Sequence, residues 1–129
     1  MSVRTHRAGF TLIELLICVV IIGILATIAI PSFKSTKGKS YAATLRTDLR
    51  NLATAEEAYF YEQGTYSAST AALGFAGSAG VTISFSEATI SGWSATAMHP
   101  LADPANCSVF YGSAAPIVPA TKEGEIVCQ

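Results

Sequence analysis

The chain has 129 residues and a formal net charge of −1; half of its residues are apolar and only 13% are charged. That length holds one compact domain plus one long anchoring element, and it rules out a multi-domain enzyme built around a deep cleft. A near-neutral balance removes any argument from overall charge for a nucleic acid, an anionic membrane surface or an acidic substrate as partner.

A short basic leader, MSVRTHRAG, comes first, with Arg4, His6 and Arg7 ahead of residue 10. From Phe10 to Phe33 the chain then reads FTLIELLICVVIIGILATIAIPSF, with Glu14 as its single charged side chain. As a helix this run is long enough to cross about 30 Å of hydrocarbon, and a chain of this size has too little left over to surround a helix that is apolar on every face. A transmembrane helix over residues 10–33 is therefore expected. A cleavable secretory signal is the competing reading. It is opposed by an apolar core longer than the usual ~7–15 residues, and by Pro31-Ser32-Phe33-Lys34 and a helical pattern where a small-residue cleavage site would stand.

Glu14 is the anomaly of this run, because a carboxylate in the middle of a span costs about 2.5–3.5 kcal/mol on insertion scales, and less near the edge where Glu14 lies. No partner is expected within the segment, so a positive group is expected from another chain or from an amine freed by processing. A protonated glutamate near the interface is the alternative. Gly23 and Pro31 weaken the helix, since glycine costs about 1 kcal/mol against alanine and proline removes an amide hydrogen bond. A kink near Pro31 is expected, with packing convenience as the plainer explanation for both residues.

Beyond the span, Tyr41, Leu45, Leu49, Leu52, Glu56 and Tyr59 or Phe60 recur every three or four residues. Arg46, Asp48, Arg50, Glu57 and Glu62 fall mostly between them. This pattern predicts an amphipathic continuation of the helix over 34–63, ended by Gly64 in a left-handed cap. Lys34, Lys37 and Lys39 form the only basic group outside the leader. They read as interfacial anchors touching lipid head groups, with contact to DNA as the less favoured reading.

Residues 64–80 are rich in Ala, Ser, Thr and Gly and read as a loop with one helical turn around Ala71 to Leu73. Val81 to Ser86 alternates with period two; Ala88 to Ile90, Ser91-Gly92 and Trp93 to Met98 follow as strand, turn and strand. Cys107 to Tyr111 makes a third strand and Glu125 to Cys128 a short fourth. The expected fold class is α+β, with one long helix whose distal half packs on a small antiparallel sheet of three or four strands. Pro100, Pro104, Pro116 and Pro119 make the tail loops around a sheet edge.

Of the three cysteines, Cys18 lies in the apolar run while Cys107 and Cys128 bracket the last segment. A Cys107–Cys128 disulfide is expected, closing a loop of about 20 residues for about 3 kcal/mol; two reduced thiols are the alternative. The bridge requires an oxidising compartment, so the C-terminal part is exported and residues 1–9 stay in the cytoplasm. The charge flanks, basic on both sides of the span, leave that orientation nearly tied.

Catalytic chemistry has little to stand on. His6 is in the leader and His99 stands alone before Pro100, so no cluster suits a metal, no cofactor is implied, and an enzyme is not expected. The serines lack a partner histidine and read as solvent-facing. Glu56 and Glu57, adjacent on a helix, diverge and read as a solvated or helix-pairing face.

Gly9-Phe10-Thr11-Leu12-Ile13-Glu14, after a basic leader and before about 20 apolar residues, resembles the class III signal of type IV prepilins; the likeness runs on to Ile30, Pro31 and Phe33. It implies a leader over 1–9 that a prepilin peptidase removes after Gly9, N-methylation of the freed Phe10, and a Glu14 carboxylate paired with a neighbour's N-terminal amine. It also implies that the helix between Gly23 and Pro31 loosens in the filament. The region 64–129 then corresponds to the loop, sheet and disulfide-bounded end that form the outer skin of the fibre. The chain would be a homo-oligomeric pilus subunit, inserted in the bacterial inner membrane before assembly by the pilus machinery, with roles in adhesion, twitching motility or DNA uptake. A type II secretion pseudopilin and a minor pilin are the nearest alternatives. A non-polymerising membrane-anchored binding protein is the alternative from another class.

Overall fold

The computed structural model describes residues 9–129, so the expected leader lies outside the described residues except for Gly9. The chain divides into two compact units at the Lys34/Ser35 junction. One helix, α1 (Leu12–Gln63), contributes to both, and its helical assignment runs through Pro31 unbroken.

In the first unit, α1 has an 18-residue window apolar enough to cross a membrane, and none of that window is buried. Side chains such as Phe10, Leu12 and Ile28 stand exposed in the isolated chain. Apolar surface this extensive requires lipid or protein around it.

In the second unit, α1 ends where its sequence stops supporting it. Gly64 takes a positive φ of 71°, and its N–H donates to the Phe60 carbonyl at 2.8 Å, the left-handed cap that a residue with a Cβ adopts only with strain. The strands β1 (Thr82–Ala88), β2 (Gly92–Met98), β3 (Asn106–Gly112) and β4 (Val127–Cys128) form one antiparallel sheet in the order β1-β2-β3-β4. β1 and β2 form a hairpin with an irregularity between Phe85 and Glu87. Thr89 and Ile90, expected as strand, lie in its turn: the Thr89 N–H and O–H both donate to the carbonyl of Gly92, the first residue of β2. β4 is shorter than the four residues expected, because Glu125 and Ile126 stay out of the ladder that Val127 and Cys128 form with β3.

Leu45, Leu49 and Leu52 from α1 pack against Trp93, Ala95, Ala97, Cys107 and Val109 from β2 and β3. The alternation along β2 sends its large and small apolar side chains to one face, which is what lets the sheet cover the helix stripe.

The opposite face of the sheet is also covered. Phe110 packs with Ala114 and Ala120, flanked by Ile117 and Val127, and the Ser108 hydroxyl donates to the Val118 carbonyl at 3.2 Å. The tail therefore forms a third layer over the sheet, not only loops at its edge. Ser94 and Ser108, expected to face solvent, are buried beneath it.

Candidate functional site

The N-terminal end of α1 is built by its own first residues. Thr11 stands at the cap position: its N–H and O–H both donate to Glu14 Oε2, at 2.9 Å and 2.7 Å. The Glu14 N–H in turn donates to Thr11 Oγ1 at 3.3 Å. This is a reciprocal capping box, in which a Thr and a Glu three residues apart satisfy donors that a helix start leaves open. It corrects the expectation that Glu14 has no partner within its segment. The Thr-x-x-Glu spacing was the sequence signal that would have revealed it. The partners are neutral, however, so the carboxylate carries no compensating positive charge among the described residues.

Gly9 and Phe10 precede the helix and are exposed. A Cβ built on Gly9 meets nothing within 4 Å, and the same holds for Gly23 inside the helix. Nothing in the chain's own packing therefore calls for glycine at position 23. Cys18 is an exposed free thiol on the apolar run.

At the other end of the chain, Cys107 and Cys128 are disulfide-bonded and stand directly opposite each other in the β3–β4 register. Arg46 on α1 donates its Nε–H to Cys128 Sγ at 3.2 Å. The helix, the third strand and the last strand meet at this one point.

Two acidic residues of α1 are buried: Asp48, expected between the stripe positions, and Glu56, which the three-and-four spacing placed in the stripe although its adjacency to Glu57 suggested a solvated face. Asp48 accepts from both the N–H and the O–H of Ser78, at 2.8 Å and 2.9 Å. Glu56 is fully buried and accepts the Ser67 N–H through Oε2 at 3.0 Å, while its Oε1 has no hydrogen-bond partner. Burial pushes its carboxyl up from 4.5, the Ser67 N–H opposes that, and the neighbouring Glu57 charge adds to it. Glu56 follows Leu52 by four, as the sequence spacing indicated, and Asp48 follows Leu45 by three, which was the available signal for its burial. His99 is buried too, stacked on Tyr41 with ring centroids 4.2 Å apart. Among the described residues, no three His, Cys, Asp or Glu side chains come together in a way that would hold a metal ion.

A family model described as the prokaryotic N-terminal methylation motif matches residues 4–30. Residues 4–30 thus carry a prokaryotic N-terminal methylation motif. The likeness to individual proteins extends to about half the chain. The type IV major pilin protein PilA of Myxococcus xanthus is 46% identical over 71 residues, covering 55% of this chain and 32% of that protein. The type IV major alpha-pilin of Moraxella bovis is 42% identical over 59 residues, 46% of this chain and 37% of its own length. The type II secretion system core protein G of Pseudomonas aeruginosa is 33% identical over 63 residues, 49% of this chain and 44% of that protein. The chain thus spans between about a third and less than half of these relatives' lengths.

Proposed function

We propose that the chain is the structural subunit of a type IV pilus filament. It is inserted in the inner membrane with residues 10–33 as the span and its cysteine-bridged unit exported, processed after Gly9, methylated on Phe10 and assembled into a homo-oligomeric fibre. The observation that carries this reading is the combination at the start of α1: an exposed Gly9/Phe10 junction, an apolar helix with no buried window, and one carboxylate with no cationic partner among the described residues. Packed helix against helix, residues 10–33 would exchange lipid for protein, and the freed amine of a neighbour's Phe10 would supply the charge that Thr11 does not. An unpaired carboxylate in hydrocarbon is costly, so pairing it favours the docked subunit and selects one axial register. Gly23 and Pro31 would let the intervening stretch loosen in the fibre.

Prepilin peptidase and the assembly machinery are the partners this route requires, with lipid before assembly and DNA as a weaker candidate through Lys34, Lys37 and Lys39. Similarity to a secretion-system core protein supports a second reading, in which the same helix core builds a short periplasmic fibre. Mass spectrometry of the native protein tests the processing step: a chain beginning at N-methylated Phe10 is expected, and an intact Met1 would overturn the proposal. Electron microscopy of sheared cell surfaces then separates long pili from the periplasmic reading.

A further inference from the structure

Two exposed features of the second unit lie on α1, a pair of like charges and a carboxylate, uncompensated by an ion pair among the described residues. Arg46 and Arg50 stand one helical turn apart, both exposed. Like charges at this spacing destabilise a helix unless an anion lies near both. With Tyr111, Gly124, Glu125 and Ile126 they line a cleft beside the disulfide-bonded end of the chain. The bond from Arg46 to Cys128 Sγ fixes one guanidinium at that cleft. The Arg50 guanidinium has no hydrogen-bond partner among the described residues, and Glu125 forms no ion pair with either arginine.

Glu62 is the complementary feature. It is exposed and unpartnered among the described residues, one residue before the end of a helix whose last turn holds no basic side chain. The end of a helix already carries a partial negative charge, so a carboxylate there is unfavourable until a cation neutralises it. Glu57, by contrast, already accepts the Tyr66 O–H at 3.1 Å.

Helix geometry puts the two features on opposite flanks. At about 100° per residue, the arginines lie about 110° to one side of the buried stripe through Leu45, Leu49 and Leu52, and Glu62 lies about 110° to the other. Identical subunits repeating in parallel meet through two different patches, and opposite flanks of one helix provide such a pair. We infer that the Arg46/Arg50 cleft of one copy receives the Glu62 carboxylate of a second copy, displaced along the helix by about 15–25 Å. This contact rests on the filament-subunit reading and names the surface through which the exported units lock together.

Charge reversal and exchange in the full chain, read as sheared-filament yield, test it. Arg50→Glu and Glu62→Arg are each expected to lower the yield about tenfold or more, and the double variant to recover most of it, as coupled interface charges do. Parental yield from either single variant, or a double variant no better than the singles, overturns the inference. To separate contact from folding, Arg50→Cys and Glu62→Cys are combined on a Cys18→Ala background; oxidised fibres then give disulfide-linked multimers if the two sites meet, and monomers alone overturn it. A parent chain that keeps Met1 or forms no fibre overturns the filament-subunit reading itself, whereas a parent that polymerises while these variants do so equally well overturns only the contact.

Discussion

Asp48 on the long helix and Ser78 in the following loop, 30 residues apart in sequence, form a two-point contact in which one buried carboxylate takes both the backbone N–H and the side-chain O–H of the serine. The loop over 64–80 is thereby fastened to the helix at one point, and Glu56 with Ser67 fastens it at another. A segment of low sequence complexity is held in one conformation by two acidic residues that lie outside it.

Replacing Asp48 with alanine leaves the Ser78 N–H and O–H without their acceptor, at a cost of about 1–3 kcal/mol. Chemical denaturation of the detergent-solubilised chain should show a lower midpoint, and proteolysis should cut first near Ser78. An unchanged midpoint with an intact loop would contradict the fastening role.

Glu56 gives a pH dependence whose sign follows from its burial. Its folded pKa lies above the ordinary value of 4.5, so between that value and the raised one the folded chain holds a proton that the unfolded chain has lost. Stability from this group is therefore greatest below about pH 4.5 and is lost as pH rises through the folded pKa. Glu56→Gln should flatten that slope and leave the protein at least as stable at pH 7. Denaturation midpoints across pH 4–8 check it; a slope unchanged by the substitution would place the titration elsewhere.

Gly38 is buried in α1 because the 101–103 segment rests on it: a Cβ there would lie 2.9 Å from Asp103 Cβ. The Asp103 N–H donates to the Gly38 carbonyl at 3.0 Å. Gly38→Val should push the segment off the helix at a cost of about 1–3 kcal/mol. Hydrogen exchange at the Asp103 amide should accelerate, and protection equal to the parent's would show that the segment does not depend on this approach.

Loss of the disulfide, as Cys107→Ser with Cys128→Ser, removes a crosslink of sequence separation 21, worth about 3 kcal/mol in the chain-entropy model. The two-residue β4 should detach first, taking with it the sulfur that Arg46 contacts. Comparison of the variant with the parent, with and without reductant, gives the measurement: reductant should lower the parent's midpoint to the variant's and leave the variant unmoved.

Glu14→Ala should be trimmed normally at Gly9/Phe10 yet assemble at least about tenfold less well, since the pairing that offsets a membrane-buried carboxylate, about 2.5–3.5 kcal/mol, no longer favours docking. N-terminal mass spectrometry and sheared-fibre yield, measured on the same cells, separate the two effects. Fibres at parental yield would remove the assembly role of this residue.

Elements governed by nearest neighbours were legible from residues alone. The apolar run, the three-and-four spacing that follows it, Gly64 at its end and the period-two strands depend on backbone preference and side-chain alternation within a few positions. They recur in α1 (Leu12–Gln63) and the four strands. The cysteine pair was legible for a similar reason, because Cys18 sits in surroundings unlike those of the other two.

The fate of individual polar residues was settled only by tertiary structure. A carboxylate between leucines reads as a break in the stripe until a donor arrives from elsewhere in the chain. Ser78 and Ser67 bring that donor to Asp48 and Glu56, and Val118 does the converse for the Ser108 hydroxyl. Sequence alone determined which backbone goes where along the helix and sheet, because those preferences are local. Which face of the sheet is sealed, and which charges are taken out of water, follows from hydrogen bonds and packing between segments that meet only after the chain has folded.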